Sequence, residues 1–126
     1  MIILDYRDRR PIYEQIVERF QELMISGAME QDSQLPSVRS LAMDLSINPN
    51  TIQRAYAELE RRGYIYSVKG KGNFVADSSI LKASKREAVF KKQEEVALEA
   101  ALLKVEKKKL YDIIDQIYDK GGEKDD

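Results

Sequence analysis

Cysteine and histidine are both missing from the 126 residues. Without thiols there are no disulfides and no thiolate nucleophile, which fits a reducing cytoplasm. Without imidazole as well, most transition-metal sites and every His-based or Cys-based catalytic constellation are excluded, and no metal or cofactor is expected. Long apolar runs are also lacking. Met1 to Leu4 is among the longest, far below the roughly 18 residues that span a bilayer, so no membrane partner is expected. No basic segment followed by an apolar stretch reads as a signal peptide. Finally, neither sign of charge dominates: 21 Lys and Arg oppose 22 Asp and Glu, for a net charge of −1.

What is present suits one small globular domain with an appendage: 43% of residues are hydrophobic and 34% charged, a core-forming composition. Residues 1–77 carry 10 basic and 11 acidic side chains, and residues 78–126 carry 11 of each. Within 50–76, however, Arg54, Arg61, Arg62, Lys69 and Lys71 face only Glu58 and Glu60, a local excess of three positive charges. Partners respond to local fields rather than to the total.

Hydrophobic spacing lays out the elements. From Pro11, the residues Ile12, Ile16, Phe20, Leu23 and Met24 recur at three- and four-residue intervals, one face of a helix ending near Gly27. Residues 28–36 show no period and are expected to be a loop. Val38, Leu41, Ala42 and Leu45 predict a short second helix, closed by a tight connection at Ser46–Ile47. Asn48–Pro49 predicts the start of a third, with a capping side chain before a proline at the first helical position. This helix buries Ile52, Ala55, Tyr56 and Leu59 and stops before Gly63. Tyr64 to Val68 and Asn73 to Val75, on either side of Lys69–Gly70–Lys71–Gly72, predict a hairpin. Tyr56 and Tyr64 are expected in the core or at a hinge.

Residues 80–120 contain no proline and no glycine and are rich in Ala, Leu, Glu and Lys, so they should be helical. Val89, Val96, Leu103, Leu110 and Ile117 fall seven apart. The companion positions are charged (Lys92, Glu99, Glu106, Lys107), which argues against a long two-stranded coiled coil. Two helices breaking near Lys104–Glu106 are expected instead, the second carrying Leu110, Ile113, Ile114 and Ile117 on one face. Lys107–Lys109 should be solvated, and Gly121 to Asp126 a loose polar tail. The fold class is therefore mainly α with a small β-hairpin: a winged helix-turn-helix over 1–77, followed by a short all-helical dimerisation region over 78–126.

Function follows from the solvent face of the third helix. Once its core positions are removed, Asn50, Thr51, Gln53, Arg54, Ala57 and Glu58 remain. The first four are groups that pair with base edges: Asn and Gln with adenine, Arg with guanine, Thr with a methyl or phosphate. A recognition helix reads DNA with its N-terminal residues in this way. Enzymatic work by carboxylate pairs such as Glu94–Glu95 or Asp112–Asp115 is the weaker reading, since both lie on highly charged helices. Gly70-Lys-Gly72 is not a phosphate-cradling loop, because no Ser or Thr follows the lysine. A pure protein-interaction module would explain the helical tail but not the Asn-Pro-Asn-Thr start beside a basic hairpin.

The stretches Pro11-Ile-Tyr-Glu-Gln-Ile16, Leu35-Pro-Ser-Val-Arg39, Leu41-Ala42, Asn48-Pro-Asn-Thr51, Ala55-Tyr56, Leu59-Glu60, Gly63-Tyr64 and Gly70-Lys-Gly-Asn-Phe-Val75 together resemble the GntR family of bacterial transcription regulators. Met1-Ile-Ile-Leu-Asp5 and the short helical tail resemble its YtrA-like subfamily. The resemblance is close over about residues 1–76 and extends to the remainder only in type. It implies a cytoplasmic, non-enzymatic regulator, most often a repressor, that binds operator DNA as a homodimer. By position it implies that Ser37 and Arg39, at the start of the second helix, Asn48, Asn50, Thr51 and Gln53, on the recognition helix, and Gly70, at the wing tip, face double-stranded DNA. Arg54 joins them on helix geometry, and Lys69 and Lys71 are assigned to phosphate by charge. Regulation of a transporter operon and of its own expression is a further implication of the resemblance. The aminotransferase-like domain fused to some relatives needs several hundred more residues than are present.

The dimer has a physical rationale, because one recognition helix reads too few base pairs to separate an operator from genomic background. Twofold symmetry then demands an inverted repeat with half-sites roughly 34 Å apart. Val89, Val96, Leu103, Leu110, Ile113 and Ile117 are the expected dimerisation residues. Any small-molecule effector, of a chemistry the sequence does not specify, is expected at the dimer interface or between tail and winged domain. Two departures from the family pattern matter. Glu30-Gln-Asp-Ser-Gln34 replaces the usual Pro-Gly-Asp, which predicts a less rigid loop. The glycine between the tail helices is also absent, with Lys104 and Val105 near that point.

Overall fold

The computed structural model describes residue 2 and residues 4–124. Five helices and one hairpin follow in the order α1 (Ile12–Ser26), α2 (Val38–Leu45), α3 (Pro49–Arg61), β1 (Ile65–Val68), β2 (Gly72–Val75), α4 (Ser79–Leu102) and α5 (Lys107–Lys124). The chain divides into two compact units, Met1–Ala83 and Ser84–Asp126.

The first unit has one core. Ile16, Val17, Phe20 and Met24 of α1 meet Leu41 and Ala42 of α2 and Ile52, Ala55, Tyr56 and Leu59 of α3, with Tyr64, Ile65 and Val75 closing it from the hairpin. Each fully buried aliphatic or aromatic side chain contributes about 1.5–3 kcal/mol relative to exposure, and this term holds three short helices together. Tyr56 is central: its ring meets that of Phe20 edge-on at 5.8 Å, and its hydroxyl donates to the Pro36 carbonyl at 2.8 Å. Burial pushes its phenol up from the ordinary value. The bond ties the middle of α3 to the chain two residues before α2. Tyr56 and Tyr64 are both core residues, as their spacing suggested.

The helix-turn-helix depends on how α2 ends and α3 begins. Ser46 takes the left-handed conformation (φ 55°), and the Ile47 N–H returns to the Ala42 carbonyl at 3.0 Å. This is a Schellman-type stop, made here without glycine. Two residues later Asn48 caps α3: its Oδ1 accepts the Asn50 N–H at 2.8 Å, with Pro49 at the first helical position.

The segment expected to be an irregular loop is more ordered than its composition suggested. Asp32 N–H donates to the Val75 carbonyl (2.8 Å), Val75 N–H to Ser33 (2.9 Å) and Leu35 N–H to Asn73 (2.9 Å), with a bridge between Gln34 and Phe74. Residues 32–35 thus remain a loop, tied to β2 by three backbone hydrogen bonds and one isolated bridge. Asp32 takes the left-handed conformation (φ 67°) and accepts a bond from the Tyr66 hydroxyl at 2.8 Å. Asp32 thus makes the left-handed turn within the segment that stands in place of Pro-Gly-Asp, with a side-chain bond to the tyrosine that precedes Ser67 in the hairpin. No local pattern announces these bonds, because their partners lie some forty residues away.

In the hairpin, Ile65 pairs with Val75, Tyr66 with Phe74, Ser67 with Asn73 and Val68 with Gly72. The Lys71 N–H closes the tip on the Val68 carbonyl at 2.9 Å, with Gly70 at φ 78°. A positive φ at the third turn residue selects glycine.

In the second unit, α4 and α5 are separated at residues 103–106, where the break was expected. Lys104 itself adopts the left-handed conformation (φ 58°) in place of the absent glycine. The Val105 N–H returns to the Ala100 carbonyl at 2.9 Å and the Lys104 N–H to Ala101 at 3.1 Å, the same stop motif as at Ser46. The tail expected to be loose is helical through Gly121 as far as Lys124; Asp125 and Asp126 lie outside the described residues. Two glycines in a final turn weaken a helix by about 1 kcal/mol each without forbidding it.

Candidate nucleic-acid interface

α3 is amphipathic in a particular way. Ile52, Ala55, Tyr56 and Leu59 are buried, while Asn50, Gln53 and Arg54 are exposed and Thr51 is half-buried. Asn48 is exposed too, but its side-chain oxygen is engaged in the cap, leaving only its amide N–H groups to donate elsewhere. Ser37 does the same for α2: its hydroxyl accepts the Ser40 N–H at 3.0 Å. Both residues are caps first, and each presents its remaining donor at the N-terminal end of a helix, where anions are favoured.

Arg39 is exposed on the first turn of α2. Asp44 and Glu60 are nearby acidic residues in the sequence, on α2 and α3, and among the described residues neither pairs with it. Glu60 instead accepts a bond from the Ser67 hydroxyl at 3.1 Å. Among the described residues the ion pairs involve Arg10, Arg19, Arg61 and Arg62; Arg39, Arg54, Lys69 and Lys71 take no part in them.

This refines the local charge excess. Glu58 sits between Arg61 (Nε to Oε2 3.0 Å) and Arg62 (Nε to Oε1 2.8 Å). The bonds from Arg61 and then Arg62 hold its carboxyl down at about 2. Arg62 also donates to Gln21 of α1 at 3.1 Å. Arg61 and Arg62 are therefore committed to the protein, and the cations left over are those at the start of α2, along α3 and at the wing tip.

The wing tip is itself fixed in place. Gln34 Nε2 donates to the Lys71 carbonyl at 2.8 Å, and a Cβ on Gly72 (φ 119°) would come within 2.9 Å of that same nitrogen. Gln34 holds Lys69, Gly70 and Lys71 from behind, all three being exposed. Sequence reasoning missed Gln34, whose role arises from a contact 37 residues away. It also missed Tyr13, whose ring lies under the Arg54 guanidinium at 3.9 Å. Arg54 leaves the helix sideways toward α1 and does not stand straight out from it.

Two other kinds of site have less support. A half-open hollow of about 340 Å³ is lined by residues including Met24, Met29, Val75, Asp77 and Lys82, and none of the expected DNA-facing residues lines it. Among the described residues no group of His, Cys, Asp and Glu is placed to hold a metal ion, and no helix is long and apolar enough to cross a membrane.

In the second unit the expected dimerisation residues are nearly bare. Leu103 is 70% and Ile117 63% exposed. Val89, Val96 and Ile113 are also exposed, Leu110 is half-buried, and Ala100 is the one buried side chain among the described residues of the two tail helices. Lys107–Lys109 are exposed as well.

Three helices, a capped polar recognition helix and a pinned basic wing define a winged helix-turn-helix regulator of transcription. The family profile for bacterial regulatory proteins of the gntR family matches residues 12–75. The chain is 38% identical over 130 aligned residues, covering all of both chains, to the HTH-type transcriptional repressor YtrA of Bacillus subtilis (strain 168). A GntR family transcriptional regulator from Listeria monocytogenes shares the fold with a TM-score of 0.69 at 34% identity, over 90% of this chain and 98% of that one. The DNA-binding domain of AraR, solved in complex with an operator, matches 59% of this chain and 89% of its own at a TM-score of 0.52 and 30% identity. The protein belongs to the GntR family, whose members are regulators of transcription and not enzymes.

Proposed function

We propose that this protein is a homodimeric, sequence-specific repressor that binds an inverted-repeat operator and controls a transporter operon together with its own expression. The observation that carries the reading is a set of exposed groups, with the half-buried Thr51 among them, that enter no ion pair among the described residues. Arg39, Asn50, Thr51 and Gln53 read base edges, while Lys69 and Lys71, on either side of Gly70, contact phosphate. Asn48 and Ser37 cap their helices and direct a remaining donor toward the backbone. Free donors and cations on an otherwise near-neutral protein match what a duplex presents, acceptors in the major groove and charge along its edges.

The bare tail supports the dimer. Helices that leave Val89, Val96, Leu103, Ile113 and Ile117 in water gain too little burial to offset their ordering entropy. A second copy supplies the missing apolar partner, and Leu110 lies at the edge of the same stripe. The repressor assignment draws on the relative YtrA, which is named a repressor; the transporter operon draws on the family resemblance.

The test is to sequence the DNA that the purified protein enriches from a random duplex pool. The expected result is an inverted repeat with half-site centres about one helical turn apart. Enrichment of no sequence, or of a single unrepeated site, would overturn the proposal.

A further inference from the structure

We infer that Tyr13 and Arg54 form a preassembled clamp for one backbone phosphate of the bound duplex, with Tyr13 as the positioning residue. The inference rests on the DNA-binding reading above and changes one part of it: Arg54 is moved from the bases to the phosphate flank.

Three observations converge. The first is the stacking itself, with the Arg54 guanidinium carbon 3.9 Å from the Tyr13 ring centroid, inside the ~6 Å range of a cation–π contact. The ring sits on the first turn of α1, so the contact draws the arginine off the axis of α3 toward a neighbouring element. The second is the fate of the natural competitor. Glu58 lies one turn beyond Arg54 on the same helix, the spacing at which an ion pair forms. It is taken by Arg61 and Arg62 instead, and among the described residues Arg54 donates no side-chain hydrogen bond. The third is exposure: Arg54 is exposed and Tyr13 half-buried, so the ring is held by the protein while the cation is open to solvent.

Stacking uses the flat face of a guanidinium and leaves its N–H edge free. That edge matches two phosphate oxygens, and a planar fork held by a ring loses less entropy on binding than a free side chain. An arginine meant for a base edge would gain from projecting straight along the groove axis; one restrained sideways against α1 is suited to the strand that borders the groove. Tyr13 is thus a splint. Its ring face does the work, and its hydroxyl, which makes only a long 3.4 Å contact with Glu14, is dispensable.

The experiment measures affinity by fluorescence anisotropy as a function of KCl, on the enriched operator and on a scrambled duplex. Arg54→Gln should weaken both duplexes alike and lower the salt slope by about one unit, the signature of one lost phosphate contact. Tyr13→Leu should weaken binding about two- to fivefold, the range set by an exposed cation–π contact, and should add nothing in the Arg54→Gln background. Tyr13→Phe should behave as the parent, which separates the ring face from the hydroxyl. Circular dichroism establishes that Tyr13→Leu is folded; Arg54→Gln and Tyr13→Phe keep the test open if it is not. A loss confined to one base pair of the operator, or an effect of Tyr13→Leu that persists in full without Arg54, would overturn the clamp. If the parent itself showed no salt-sensitive binding to any duplex, the DNA reading would fall first. Parent binding with an unchanged Arg54→Gln slope would sink the clamp alone.

Discussion

Replacing Gly72 by alanine probes how the wing is held, and its cost can be worked out from two separate features. At φ 119° the backbone lies where L-residues are strained, a cost of about 1–3 kcal/mol. The new Cβ would also sit 2.9 Å from Gln34 Nε2. A glutamine terminus can swing away, so the clash itself is cheap, but leaving breaks its bond to the Lys71 carbonyl. That bond is worth about 0.5–1.5 kcal/mol, toward the low end because it is exposed. Together these give about 1.5–4 kcal/mol for Gly72→Ala. Gln34→Ala removes only the bond, and in that background Gly72→Ala retains only the backbone strain. The double variant should therefore fall short of the sum by about 0.5–1 kcal/mol. Urea denaturation followed by circular dichroism at fixed protein concentration measures all three. A Gly72→Ala change within about 0.5 kcal/mol of the parent, the range of an ordinary surface substitution, would refute the strain argument. Strict additivity would refute the role of Gln34.

Three other outcomes are expected. Asn48→Ala should cost about 1 kcal/mol through loss of the cap; Asn48→Asp should restore stability but not operator affinity, since its second oxygen faces the duplex as an anion. Equal recovery of both would remove Asn48 from the DNA contact. Leu110→Asp or Ile117→Asp should shift the protein from dimer to monomer in sedimentation velocity, and intact dimers in both would place the interface elsewhere. The pH dependence carries a definite sign. Because Glu58 is held at about 2 instead of its ordinary 4.5, its contribution is fully present above that ordinary value and is lost as pH falls through about 2. Parent and Glu58→Gln should accordingly differ in stability at neutral pH and converge in strong acid. A gap that stayed constant across that window would mean that the two arginines do not act through the Glu58 charge.

Several features were legible from residue spacing because their causes are local. A cap lies two residues from the N–H that it accepts, so Asn48-Pro-Asn announces the start of α3 without any tertiary partner. Core positions repeat with the helical period, which is why Ile52, Ala55, Tyr56 and Leu59 could be assigned to the interior and Asn50 and Gln53 to solvent. The break near Lys104 was placed correctly even without its glycine, since the charged companions of the seven-spaced stripe argue against one long coiled-coil helix. A resemblance carried by several ordered motifs identified the family.

Other features required the folded chain. Composition makes residues 28–36 a loop, and it is one; the hydrogen bonds that tie residues 32–35 to β2 have no local signal, because their partners lie some forty residues away. Helix geometry puts Arg54 on the outer face of α3, yet only the packing of α1 against α3 brings Tyr13 under its guanidinium. The local charge sum counted Arg61 and Arg62 as available, whereas Glu58 occupies both. Amphipathic period and capping are properties of neighbours along the chain and were determined by the sequence alone. Which cations remain unpaired, and what holds the wing tip still, depends on side chains that meet only once the chain has closed on itself. That was decided by the tertiary structure.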